Sequence, residues 1–166
     1  LAMMRAAYQF VTQGHIVSGG STISMQVARL LEPRRERSLY AKYRQMVRAL
    51  QLEWALDKDQ FLALYLTLAP YGGNLEGIRA ASLAYFGKEP RRLTLGETAL
   101  LVALPQSPEY RRPDRHPERA QAARNRVLDR IAGDGLFSAE ERASAKTEPV
   151  PDARKAMPLS APHAAD

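Results

Sequence analysis

Apolar positions recur at helical spacing along nearly the whole chain, and no convincing alternation in twos marks a strand. The pattern predicts a first helix over residues 1–13, stopped by Gly14. Ser21 or Thr22 can cap a short helix running to about Leu31, closed by Pro33. Ser38 caps the clearest helix. Its Leu39, Tyr43, Met46, Val47, Leu50 and Trp54 fall on one stripe, the face expected to be buried. A further helix spans about Lys58 to Ala69 and ends in the turn Pro70-Tyr71-Gly72-Gly73. Leu75 to Phe86 follows, with Gly87 as its terminal glycine. Thr94 and Glu97 form a capping box for the run to Leu104, which Pro105 stops. Pro117 opens a helix to about Ala132, and Ser138 with Glu141 caps a last short one. The expected fold class is all-α, one domain over residues 1–148. The Pro-rich stretch 149–166 reads as a linker toward another domain.

Length agrees with one core, because 166 residues suffice for a single domain. No run approaches the roughly 20 apolar residues of a membrane-spanning helix. The chain opens at Leu1, inside a helical pattern, so it is expected to be a piece of a longer protein. Zero cysteines exclude disulfides and thiolate metal ligands, and His15, His116 and His163 are scattered. No metal site is therefore visible. Charge changes the picture more. Between Arg29 and Arg48 lie seven basic residues and two acids, +5 of the chain's net +6. Such a patch suits phosphates, on nucleic acid, a lipid headgroup or a diphosphate substrate.

The stretch GGSTISMQ, Gly19 to Gln26, offers a ligand for that charge to share. Two glycines let the backbone turn its N–H groups inward, Ser21, Thr22 and Ser24 add hydroxyls, and the helix start is positive. The plainer alternative is a capped helix after a glycine turn. At helical spacing Arg37, Arg44 and Arg48 fall near one face, away from the apolar stripe. Carboxylates are less telling. Glu53 lies beside Trp54, Glu76 follows the glycine turn, Glu97 is expected in its cap, and no acid–base pair emerges from spacing.

These residues resemble a known family. GGSTISMQVARLLEP is similar to the G-G-S-T-I-T-Q-Q motif of the peptidoglycan glycosyltransferases, glycosyltransferase family 51, the lysozyme-like domain of class A penicillin-binding proteins. The likeness continues through RSLYAKYRQMVRALQLEWALDKDQFLALYLTLAPYGG, GIRAASLAYFGK, LTLGETALLVALPQSP and RPDRHPERAQAARNRVLDRI. It implies an enzyme that polymerises lipid II into glycan strands with inversion and release of undecaprenyl diphosphate. Site residues carried over by position are Ser21, Thr22 and Gln26 at the donor diphosphate. Arg29, Arg37, Lys42 and Arg44 would surround the phosphates and the acceptor-side substrate, with Gln45 beside them. The implied partners are lipid II, the growing glycan and the membrane surface at the outer face of the cytoplasmic membrane. The family admits a divalent metal.

Three positions depart from the family. Its general-base glutamate belongs to an E-D-x-x-F motif ahead of the opening helix, and no residue here matches it. R-K-x-x-E reads Ala41-Lys42-Tyr43-Arg44-Gln45, so an amide stands for the second glutamate, and Thr67 replaces the Asn of Y-L-N. A non-catalytic binder of lipid II is therefore an alternative to the transferase. A basic helical nucleic-acid binder is disfavoured, since no recognition helix or interleaved aromatics accompany the patch. A muramidase-like hydrolase would need a carboxylate pair that spacing does not reveal.

Overall fold

The structure, a computed structural model, describes residues 23–32 and 38–156. The predicted helix over 1–13, Ser21, Thr22, Arg37 and residues 157–166 lie outside the described residues. The chain divides into two compact units, Leu1–Leu68 and Ala69–Asp166.

In the first unit, α1 (Ile23–Leu31) packs on α2 (Leu39–Ala55) and α3 (Lys58–Leu68). Ser38 begins α2 as expected, its Oγ accepting the Ala41 N–H at 3.0 Å. A cap not foreseen opens α3. The Asp57 carboxylate accepts from Gln60 N at 2.8 Å, while the Gln60 side chain accepts from Asp57 N at 3.1 Å. Thr67, at the family's Asn position, turns its hydroxyl back to Ala63 O within the helix.

The face of α2 that packs matches the expected one only at Met46. Met25 and Ala28 of α1 close on Ala49, flanked by Met46 and Leu52. Tyr43, Val47, Leu50 and Trp54 of the predicted stripe are exposed, Trp54 at 93%. The physical reason is that α1 offers a small contact surface. Ala49 lets the two backbones approach, and polar pairs on either side of it select the rotation. Periodicity identifies an apolar stripe but not which face meets a partner.

The second unit opens with a hairpin where only a turn was expected. Strands β1 (Pro70–Gly72) and β2 (Leu75–Glu76) pair antiparallel, Pro70 opposite Glu76. The link uses Gly72 and Gly73 at φ 108° and 59°, backbone that glycine adopts without strain. Strands of three and two residues are too short to show a period. Next come α4 (Ile78–Phe86), ended by Gly87 in the left-handed region, and α5 (Leu95–Ala103), opened by the predicted Thr94–Glu97 capping box. A 3-10 turn over Leu104–Gln106 leads on to α6 (Pro117–Arg130) and α7 (Ala139–Thr147), the latter with the predicted Ser138–Glu141 box. Ala99, Leu128 and Ala145 join α5, α6 and α7 in one core, with Leu95, Val127 and Ile131 around it. Small residues allow the close approach, for a Cβ on Gly96 would stand 2.7 Å from Ala145 O.

Candidate functional site

The helix that ends the Gly-Ser-Thr stretch has a sharply two-sided register. Met25, Val27 and Ala28 are at 2%, 0% and 3% exposure, which turns Gln26 and Arg29 to solvent. Three polar ties bind α1 to α2. Ser24 Oγ donates to Glu53 Oε1, Gln45 Nε2 donates to Met25 O at 2.7 Å, and Arg48 meets Glu32 at 3.4 Å. The first unit therefore carries Gln26 and Arg29 on one helix and Lys42, Arg44 and Gln45 on the helix bound to it.

The basic residues are not equivalent. Arg48 is engaged, by Glu32 and by Gln51 Oε1 at 3.1 Å. Arg29 and Arg44 are exposed and have no carboxylate partner among the described residues. Lys42 is exposed as well. Exposed guanidiniums such as those of Arg29 and Arg44 are groups that can hydrogen-bond an anion.

The carboxylates sort as follows. Glu97 is spent, accepting from Thr94 N at 2.9 Å and from Lys88 Nζ at 2.7 Å. Glu53 accepts from Ser24, and Glu76 is exposed on β2. No group of acidic residues and histidines suited to a metal ion occurs among the described residues. Among the same residues no helix is long and apolar enough to cross a membrane.

A second polar cluster, in the second unit, escaped sequence reasoning. Arg112, at 8% exposure, grips both oxygens of Asp114, Nη2 to Oδ2 at 2.6 Å and Nε to Oδ1 at 3.2 Å. The Arg112 contact, a hydrogen bond first and a charge second, holds the Asp114 carboxyl below the usual range. Glu109 is held low chiefly by the Gly73 N–H, which it accepts at 2.5 Å. Arg154 reaches the hairpin, donating to Gly72 O at 3.0 Å and Asn74 Oδ1 at 3.1 Å, with Nε 3.3 Å from Asp114. Lys155 N–H donates to Ala84 O at 2.7 Å, so the stretch beyond Pro149 is fastened to α4 and the hairpin up to this residue. Burial also pushes the Tyr85 phenol up, and its hydroxyl donates to Tyr71 O at 2.9 Å. The only signal in the sequence is Arg111-Arg112-Pro113-Asp114, where the arginine and its carboxylate stand two residues apart.

Comparison with known proteins adds a family. The transglycosylase family matches residues 1–132. Penicillin-binding protein 1C of Escherichia coli (strain K12) is 52% identical over 161 residues, 97% of this chain and 21% of that protein. Penicillin-binding protein 1A of Aquifex aeolicus is 40% identical over 150 residues, again 21% of its length. The chain thus spans about a fifth of the curated relatives it matches. The crystal structure of penicillin-binding protein 1A from Haemophilus influenzae superposes with TM-score 0.50 at 24% identity, over 81% of this chain and 17% of that one. That likeness supports the helical fold class.

Proposed function

The chain belongs to the transglycosylase family, and from that membership we propose that it is part of a peptidoglycan glycosyltransferase that polymerises lipid II. The acceptor hydroxyl attacks the donor's anomeric carbon. The carbon–oxygen bond to the diphosphate breaks, and its electron pair leaves with undecaprenyl diphosphate. The acceptor proton passes to a general base, which the family likeness assigns to a glutamate that no residue here matches. Negative charge grows on the diphosphate in the transition state, so fixed cations there stabilise the transition state more than the ground state. We assign Arg29, Lys42 and Arg44 to that task, with Gln26 as a neutral hydrogen-bond donor beside them and Ser21, Thr22 and Arg37 completing the site. The outer face of the cytoplasmic membrane is where such a lipid substrate would be met. The Pro-rich stretch 149–166 would serve as a linker toward a further domain.

The observation that carries the proposal is the outward register of Gln26 and Arg29 on a helix tied to the one bearing Lys42 and Arg44. The experiment contrasts two arginines four residues apart. Arg44→Ala removes a cation with no carboxylate partner among the described residues, and loss of one charge-assisted phosphate contact of about 1.5–3 kcal/mol weakens lipid II binding roughly ten-fold or more. Arg48→Ala breaks an exposed pair worth about 0.2–1 kcal/mol of stability and leaves binding within about two-fold. Calorimetry with lipid II on the natural protein, alongside gel detection of glycan polymer, reads both. Equal affinities for Arg44→Ala and wild type would refute the site. Binding without any polymer would favour a non-catalytic lipid II binder.

A further inference from the structure

Gln45 marks the point where this chain leaves the R-K-x-x-E pattern, and its side chain is engaged within the protein. Its Nε2 donates to Met25 O at 2.7 Å, from α2 across to α1. Met25 is at 2% exposure, in contact with Ala28 and Ala49, and directly precedes Gln26. The chemistry of this bond is one-way. A carbonyl only accepts, so its partner must carry a proton. An amide always does. A carboxylate at neutral pH does not, and would set two acceptors face to face.

We propose that Gln45 is a positioning residue, which by bonding the Met25 carbonyl fixes the rotation of α1 that turns Gln26 and Arg29 outward, and which does not itself touch substrate. This rests on the lipid II site assigned above. The other two ties, Ser24 to Glu53 and Glu32 to Arg48, run from side chain to side chain and tolerate some rotation of α1. The Gln45 bond reaches the backbone of α1 one residue before Gln26. It also spares the site a negative charge. The charged groups near the bond are Glu53, Glu32 and Arg48 in those ties, Arg29 one turn beyond Met25, and Lys42 and Arg44 on α2. From α3, Lys58 and Asp59 are exposed.

The test uses the natural protein that contains this chain, with Gln45→Glu and Gln45→Met. Two quantities are followed from pH 8 to pH 4.5, namely the Kd for lipid II in detergent micelles and the melting temperature without substrate. At pH 8 Gln45→Glu is expected to bind about ten-fold more weakly than wild type and to melt lower. Both deficits should shrink toward pH 4.5, because a protonated carboxyl donates to Met25 O. Gln45→Met should stay weak at every pH. Normal substrate-free melting of Gln45→Glu with lost affinity would mean that the side chain touches ligand, overturning the proposal. Lower melting with unchanged affinity at a temperature where the protein is folded would leave only a structural bond, also overturning it. Wild type that binds no lipid II would sink the functional proposal. The substrate-free pH profile would still report the bond, so the two failures are distinguishable.

Discussion

Arg124 is the buried cation whose removal has the most calculable outcome. It sits on α6 at 1% exposure and holds the end of α7. Nη1 donates to Glu148 O at 2.5 Å and Nη2 to Lys146 O at 2.6 Å, while Nε donates to Asn125 Oδ1 at 3.1 Å. Those two carbonyls belong to the negative end of a helix and have no further turn to satisfy them. Arg124→Met keeps most of the aliphatic stem and deletes every donor. Each charge-assisted bond is worth about 1.5–3 kcal/mol. Two such bonds are partly offset, because the variant no longer desolvates a guanidinium, the burial that already pushes the Arg124 pKa down. The net loss is about 3 kcal/mol, and at about 4–8 °C per kcal/mol for a unit of this size the melting temperature falls by roughly 15 °C. Calorimetry reads it, with Arg124→Lys, which retains one charged donor, expected in between. A melting temperature within about 2 °C of wild type for Arg124→Met would refute the capping role, as would a lysine variant no better than methionine.

Two further outcomes follow from the electrostatics and burial. The folded Asp114 carboxyl titrates below its unfolded value, so its stabilisation is fully present above about pH 4 and disappears as pH falls through the depressed folded value. Asp114→Asn should therefore lose about 3–5 kcal/mol near neutrality and show a flatter acid limb in pH-dependent unfolding; an unchanged acid limb would refute the assignment. Trp54, the chain's single tryptophan, is 93% exposed, so its fluorescence should be that of a solvated indole, freely quenched by acrylamide. A blue-shifted, protected emission would show that the apolar stripe of α2 is covered after all.

Local chemistry is what the sequence made legible. The Thr94 and Ser138 capping boxes, the Ser38 cap and the Gly87 terminus each depend on residues within one turn, and each occurs as expected. The ordered motifs pointed to the family that matches residues 1–132. What depends on a partner was not legible. The stripe from Tyr43 to Trp54 has correct helical spacing, yet Ala49, Gln45 and Glu53 decide the face that meets α1. The hairpin failed for lack of length, and the Arg112–Asp114–Arg154 cluster because an arginine looks solvated until its carboxylate is found in space.

That last point bears on how the net charge of this protein should be read. In the second unit, Arg112 and Arg124 are buried and Arg154 half-buried, each against fixed oxygens, at Asp114, at the end of α7 and at Gly72 with Asn74. A buried guanidinium must be satisfied in this way, because leaving it unpaired costs several kcal/mol. Such cations add to the formal charge but are not available to a ligand. Arg29 and Arg44 have no such carboxylate among the described residues, and as exposed groups they are screened by water. In the proposed site a diphosphate would displace that water and gain Coulomb attraction where charge develops on the leaving group. The density of +5 between Arg29 and Arg48 is therefore a poor guide to function when taken as a sum. Arg48, for one, counts in that sum although Glu32 holds it.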